Sequence, residues 1–178
     1  IQFSLNDGTD DSAASAISEN FQVDNTTPTP TIISASYSSP SDTLVITGTN
    51  FTTIAPATTD IKSSVNWSKF SWDINGDNGA TADISFAEGD IASLTVTNAT
   101  TLTLVFTASK GTAIETSSGY GISGGNDTMD VTAGFCRDAA GNTPTTDNVS
   151  DGPLATPVPS YTVTKIADTN DGSCDVSD

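Results

Sequence analysis

Apolar and polar residues alternate along much of this chain. The clearest runs are Leu44-Val45-Ile46-Thr47, Ser93-Leu94-Thr95-Val96-Thr97, Thr101-Leu102-Thr103-Leu104-Val105-Phe106 and Tyr161-Thr162-Val163-Thr164. A period of two sends successive side chains to opposite faces of a strand, one toward a core and one toward water. Asn, Asp, Gly or Pro bounds each run, and these residues make turns or end a ladder. The runs often recur every 8–12 residues or so, the rhythm of all-β sandwiches. No window of comparable length has a helical period, and residues 108–117 predict one short turn of helix at most. The pattern therefore predicts an all-β fold.

Composition sharpens this. Of 178 residues, 35% are hydrophobic and 15% charged, and five Lys+Arg against 22 Asp+Glu leave a formal charge of −17. Low hydrophobicity with high net charge is a signature of disorder. Here, however, the polar bulk is Ser and Thr, and Thr favours strands. Histidine is absent, which removes the usual general base, the Ser-His-Asp and Cys-His dyads and the commonest zinc ligand. So acidic a surface repels phosphate backbones, which excludes nucleic acid as a default partner. No apolar run approaches the roughly 18 residues of a transmembrane segment. No signal peptide or anchor pattern is visible, and the start at Ile1 reads as a processed chain or a piece of a longer one. Asn-x-Ser/Thr sequons at Asn25, Asn50, Asn66, Asn98, Asn126 and Asn148 are background in a chain this rich in Ser and Thr.

Two stretches echo each other. Asn6-Asp7-Gly8-Thr9-Asp10 runs on to Phe21-Gln22-Val23-Asp24-Asn25-Thr26-Thr27-Pro28. Arg137-Asp138-Ala139-Ala140-Gly141-Asn142 is followed by Asp147-Asn148-Val149-Ser150-Asp151-Gly152-Pro153. The offset, roughly 125–130 residues, is domain-sized. The "DAAGN" turn and the "FQVDNTTP" exit resemble the ends of bacterial immunoglobulin-like repeats in large surface proteins. "TIISASYSSPSDTLVITGTNF" is similar to the opening of such a repeat, close to the IPT/TIG-like pattern. "DIKSSVNWSKFSW", "TLTLVFTASKGTAI" and "GNDTMDVTAGF" resemble its later segments. "YTVTKIADTNDGSCDVSD" is similar to the start of the CSLREA-type segment of secreted bacterial proteins. The resemblance implies an immunoglobulin-like β-sandwich over residues 29–153. Residues 1–28 would end a preceding repeat or form an N-terminal donor-type arm. Residues 154–178 would be a Pro-rich connector and the start of the next segment. It also implies an extracellular or cell-surface location, which suits cysteines that can oxidise. Cys136 and Cys174 are the disulfide candidates, and their bond would close a loop of about 39 residues, worth about 3–4 kcal/mol.

Candidate chemistry lies in the acidic turns. Asp73, Asn75 and Asp77 place oxygen ligands at alternate positions, as a hard cation such as calcium wants, although the same residues also make an ordinary hairpin turn. Asp168, Asn170, Asp171 and Asp175 form a second oxygen-rich cluster. Asp138 and Asn142, with Asp147, form a third at an expected interdomain corner. Trp67, Phe70 and Trp72 gather in one segment. Period-two logic puts Phe70 and Trp72 on one face and Trp67 on the other, either as core or as a carbohydrate-stacking platform. No pair of carboxylates is set off as a catalytic couple, so no catalytic residue and no enzyme activity are expected.

Three functions compete. The leading one is a non-catalytic structural or adhesive repeat module of a secreted or cell-surface bacterial protein, stiffened by calcium. The second is a self-assembling extracellular filament subunit, joined to identical subunits or neighbouring repeats by β-strand addition of "IQFSL" or "YTVTKI". The third is a carbohydrate-binding module with a glycan or other surface ligand.

Overall fold

The alternating runs become strands because each has an unbroken apolar face and turn formers at its ends. In the computed structural model the residues described are 23–76, 84–121 and 126–156. They contain β1 (Thr31–Ser38), β2 (Thr43–Thr49), β3 (Phe70–Asp73), β4 (Ile84–Ser85), β5 (Ile91–Asn98), β6 (Thr101–Phe106), β7 (Thr128–Val131) and β8 (Val149–Ala155). The short helical segment of the sequence reading is α1 (Ala108–Glu115).

The strands form one eight-stranded sheet in the order β4-β3-β7-β8-β1-β2-β6-β5. The sheet folds over on itself at β8. The first part of β8 pairs antiparallel with β7, Met129 opposite Gly152, and its last residues pair parallel with β1, Ala35 opposite Leu154 and Ser36 opposite Ala155. The fold is therefore an all-β sandwich. Its two halves, β1-β2-β6-β5 and β4-β3-β7-β8, have the strand order of the immunoglobulin sandwich.

The inward positions of both halves meet in one core. Leu44, Ile46, Leu94, Leu102 and Leu104 are fully buried on one side and Trp72 and Met129 on the other. Tyr37 of β1 packs edge-on against Trp72 of β3 with ring centroids 5.3 Å apart, and Phe86 stacks on Phe106 at 5.3 Å. Gly48 of β2 is required where it stands, because a Cβ there would overlap the Thr31 carbonyl oxygen and lie 2.6 Å from the Phe51 ring.

Among the described residues the β5 edge of the sheet is occupied and the short β4 edge is partly covered. Beside β5, the Thr58 N–H donates to the Val96 carbonyl (2.7 Å), Val96 N–H to Thr59 (2.9 Å) and Ile61 N–H to Leu94 (2.7 Å). Asp60 Oδ1 accepts the Leu94 N–H at 3.2 Å. Beside β4, Lys110 Nζ reaches from α1 to the Ser85 carbonyl at 2.8 Å while pairing with Asp90 at 3.2 Å.

The domain limits differ in detail from the sequence reading. Leu154 is 4% exposed, in the core, and β8 runs to Ala155, past the Pro153 expected to end it. A proline is tolerated here because the strand is changing partners from β7 to β1. At the other end, residues 23–30 lie against this sandwich. Asn142 Nδ2 donates toward the Asp24 and Thr26 carbonyls (3.2 and 3.3 Å), Thr146 Oγ1 to the Pro30 carbonyl (2.9 Å) and Asn50 Nδ2 to the Thr29 carbonyl (3.2 Å). The proposed donor segments at 1–5 and 161–166 lie outside the described residues.

Candidate functional site

Period-two geometry assembles an acidic group that spacing along the chain does not reveal. In β3, Phe70 and Trp72 point inward, which turns Ser71 and Asp73 outward. In β7, Met129 and Val131 point inward and Asp130 outward. Ser71 lies opposite Asp130 and Asp73 opposite Thr128, so Asp73 and Asp130 are diagonal neighbours on one outer face. β8 supplies the third member. Between Met129 opposite Gly152 and Val131 opposite Val149 the register shifts, so Ser150 and Asp151 together face Asp130. Such a bulge re-aims a side chain. Asp151 takes a left-handed φ of 50°, and its N–H donates to Asp130 Oδ1 at 2.8 Å.

The result is a carboxylate triad, Asp73, Asp130 and Asp151, each offering an oxygen within 4.8 Å of the others. Asp73 is 1% exposed, whereas Asp151 is open to solvent. Oxygens on opposite sides of a calcium ion, each at about 2.4 Å, stand about 4.8 Å apart, so the spread fits a shared hard cation. The donor set is all oxygen with three negative charges, which selects against soft metals.

The metal residues read from the sequence fare differently. Asp73 belongs to the triad, but with Asp130 and Asp151 rather than with Asn75 and Asp77. Asn75 lies in the next 3-10 turn, Ile74–Gly76, and Asp77 is outside the described residues. Asp168, Asn170, Asp171 and Asp175 are outside them as well. The third cluster serves as a hydrogen-bonded knot. Asp138 accepts from the Asn142 N–H (2.8 Å) and from Asn142 Nδ2 (2.9 Å). Burial alone would raise the Asp138 carboxyl; the bonds from Asn142, Ala140 and Gly141 outweigh it and hold the group below the ordinary aspartate value. Asp147 is fully buried and accepts the Gly134 N–H (2.9 Å) and the Cys136 N–H (2.7 Å) on its two oxygens. Protein donors thus already fill these acceptors.

The aromatic segment and the cysteines are the other candidates. Trp67, Phe70 and Trp72 are at most 6% exposed and offer no ring face to a sugar. Trp67 begins a 3-10 turn, Trp67–Lys69, so strand alternation does not reach it and its ring turns back onto Phe70 and Phe135. The indole N–H of Trp67 donates to the Lys62 carbonyl (3.0 Å) and that of Trp72 to buried Asp127 (2.9 Å). Cys136 is a fully buried thiol, and Cys174, its expected disulfide partner, lies outside the described residues. Burial, then the Asp147 carboxylate, push the Cys136 thiol well above its ordinary pKa.

Sequence reasoning missed Asp130 as a site residue and met Asp151 only as part of a turn. The available signal was an Asp at the outward position of "TMDV" in a chain whose outward strand positions are mostly Ser and Thr. Comparison with protein-family models, curated proteins and solved structures finds no match.

Proposed function

We propose that this domain is a non-catalytic, tension-bearing structural module of a bacterial secreted or cell-surface protein, stiffened by a divalent cation, with calcium the first candidate, at the Asp73–Asp130–Asp151 triad. The resemblance of its segments to immunoglobulin-like surface repeats motivates the setting. The observation that carries the mechanism is the parallel pairing of β1 with β8. These are the first and last strands of the described sandwich, so the chain enters β1 at one end of the sheet and leaves β8 at the other. Tension along the chain slides the two strands past each other and loads their hydrogen bonds together, in shear. Antiparallel terminal strands would instead be peeled apart one bond at a time.

The test is single-molecule extension with two handle geometries. Handles at the chain ends load β1 and β8 in shear. Handles at positions 38 and 155, which lie at the same end of the two strands, unzip the same pair. Rupture force should be several-fold higher in the first geometry. Equal forces would remove the load-bearing role. Among the described residues the β5 edge is taken by Thr58–Ile61 and the two-residue β4 is held in part by Lys110, which supports this reading over the strand-adding filament subunit, whose expected donor segments lie outside those residues.

A further inference from the structure

The two outer faces of the sandwich differ in charge. In the β4-β3-β7-β8 half, the strands present half-buried Asp130 and exposed Asp151 beside buried Asp73. In the other half, no residue of β1, β2, β5 or β6 is charged. One row across its outer face reads Ser36, Val45, Thr103, Thr95, and the rows beside it hold hydroxyl and small apolar side chains with one amide, Asn98. Two of the large apolar side chains exposed among the described residues, Ile33 (52%) and Val45 (37%), belong to these strands. On a chain of formal charge −17, with 15% of its residues charged, a four-strand face without one charged residue is set apart from the acidic half.

We infer that this neutral β1-β2-β6-β5 face is a self-association surface, on which a second copy of the chain packs sheet against sheet. The occupant follows from charge. Two molecules this acidic repel one another on approach, and the neutral face is where they meet without bringing carboxylates together. β-branched Thr and Val hold few rotamers, so little side-chain freedom is lost on contact. Size sets the strength. Four strands about 4.8 Å apart, of six to eight residues at about 3.4 Å each, cover roughly 450 Å². A stable interface takes about 800 Å² from each partner. The contact is thus at the small, transient end of interface sizes. Repeated along neighbouring tandem chains, it would gain by multivalency. It uses a face and needs no free strand edge.

Sedimentation equilibrium of the full 178-residue chain, over a concentration series at low and high NaCl, tests this. Mass should rise with concentration, and more steeply at high salt, where like-charge repulsion is screened. Val45→Glu and Thr47→Glu put a charge in the face and should abolish the rise. Thr145→Glu adds the same charge on an exposed loop and should leave it, and circular dichroism confirms that all three fold. Monomer throughout at both salts overturns the inference. Association that survives both face variants places the contact elsewhere and overturns it too, as does equal loss in Thr145→Glu, which would make total charge the cause. None of these outcomes depends on the rupture-force experiment.

Discussion

Asp147 is the side chain whose removal tests the architecture most sharply. It is fully buried, with Gly134 N–H at 2.9 Å on one oxygen and Cys136 N–H at 2.7 Å on the other. It thereby fixes the loop after β7 to the segment entering β8. Alanine removes both acceptors. The Gly134 N–H is only partly buried and turns to water; the Cys136 N–H is sealed, and a buried donor without a partner costs about 1–3 kcal/mol. Two hydrogen bonds to a charged acceptor, at about 1.5–3 kcal/mol each, set the upper bound. Relief from holding a desolvated carboxylate offsets part of it. Asp147→Ala should therefore lose about 2–4 kcal/mol of a total near 5–15 kcal/mol, and the variant still folds. Asp147→Asn should lose about as much, because its carbonyl serves one N–H while its amide confronts the other. Urea unfolding followed by fluorescence of buried Trp67 and Trp72 reads this as a shift in midpoint at constant slope. Thiol labelling of Cys136 under native conditions, in a Cys174→Ser background, gives a second reading. If the loop opens locally, its rate should rise about tenfold for each 1.4 kcal/mol lost. A loss under about 1 kcal/mol with unchanged labelling would refute the account.

Two further outcomes follow from the same contacts. If the triad holds a cation, calcium at about a hundred times its Kd should stabilise by about 2.7 kcal/mol; the melting midpoint should rise with calcium, fall with excess chelator, and stop responding in Asp130→Asn and Asp151→Asn. An unchanged midpoint in the parent chain removes the cation. At high pH the buried tyrosines govern. Burial, then Glu115 and Asp42, hold the Tyr37 phenol above its ordinary value of about 10, and burial, then Glu115 and Asp127, do the same for Tyr120. A raised folded pKa gives stability that is fully present below the unfolded value and lost as pH rises toward the folded one. Unfolding free energy should decline above about pH 10, and Tyr37→Phe with Tyr120→Phe should flatten that decline; a wild-type curve no steeper than the double variant's contradicts the assignment.

How much was legible in the sequence depended on range. The strands with strict alternation, β2, β5 and β6, lie where Leu44, Leu94 and Leu102 mark an inward face, because period two is a local property. The helix at Ala108–Glu115 was expected only as one short turn and runs for eight residues. Trp67 was misread since a three-residue 3-10 turn resets the alternation, and nothing in "NWSKFSW" announces the reset. The triad was half legible. Asp73 stood out among turn residues, but its partners come from β7 and β8, and only the tertiary pairing of β3 with β7 and the bulge at Asp151 brings them within reach. The knot of Asp138 and Asn142 was noticed for its oxygens. Its real work, catching the Asp24 and Thr26 carbonyls more than a hundred residues away, is a long-range contact that composition cannot carry.

Edges and faces together limit how this domain meets others. A sheet grows by strand addition only where a strand presents unpaired N–H and C=O groups. On β5 that row is taken by Thr58–Ile61, which bonds Leu94 and Val96 much as another strand would. On β4 the strand is two residues long, and the Ser85 carbonyl is held by Lys110, whose charge is itself engaged by Asp90. Opening either edge means breaking contacts anchored in the core, Ile61 on one side and Phe86 beneath Lys110 on the other. The acidic outer face resists another acidic copy unless a cation neutralises it. The β1-β2-β6-β5 face has neither obstacle, since its hydrogen bonds are satisfied within the sheet and it carries no charge. Along the chain, meanwhile, the parallel β1–β8 pair is where load would enter and leave under the proposed tension-bearing role. Under these two proposals longitudinal strength rests on the β1–β8 backbone pairing and lateral contact on outward side chains of the same half, so Val45 and Thr47 of β2 can be altered without touching the parallel pair.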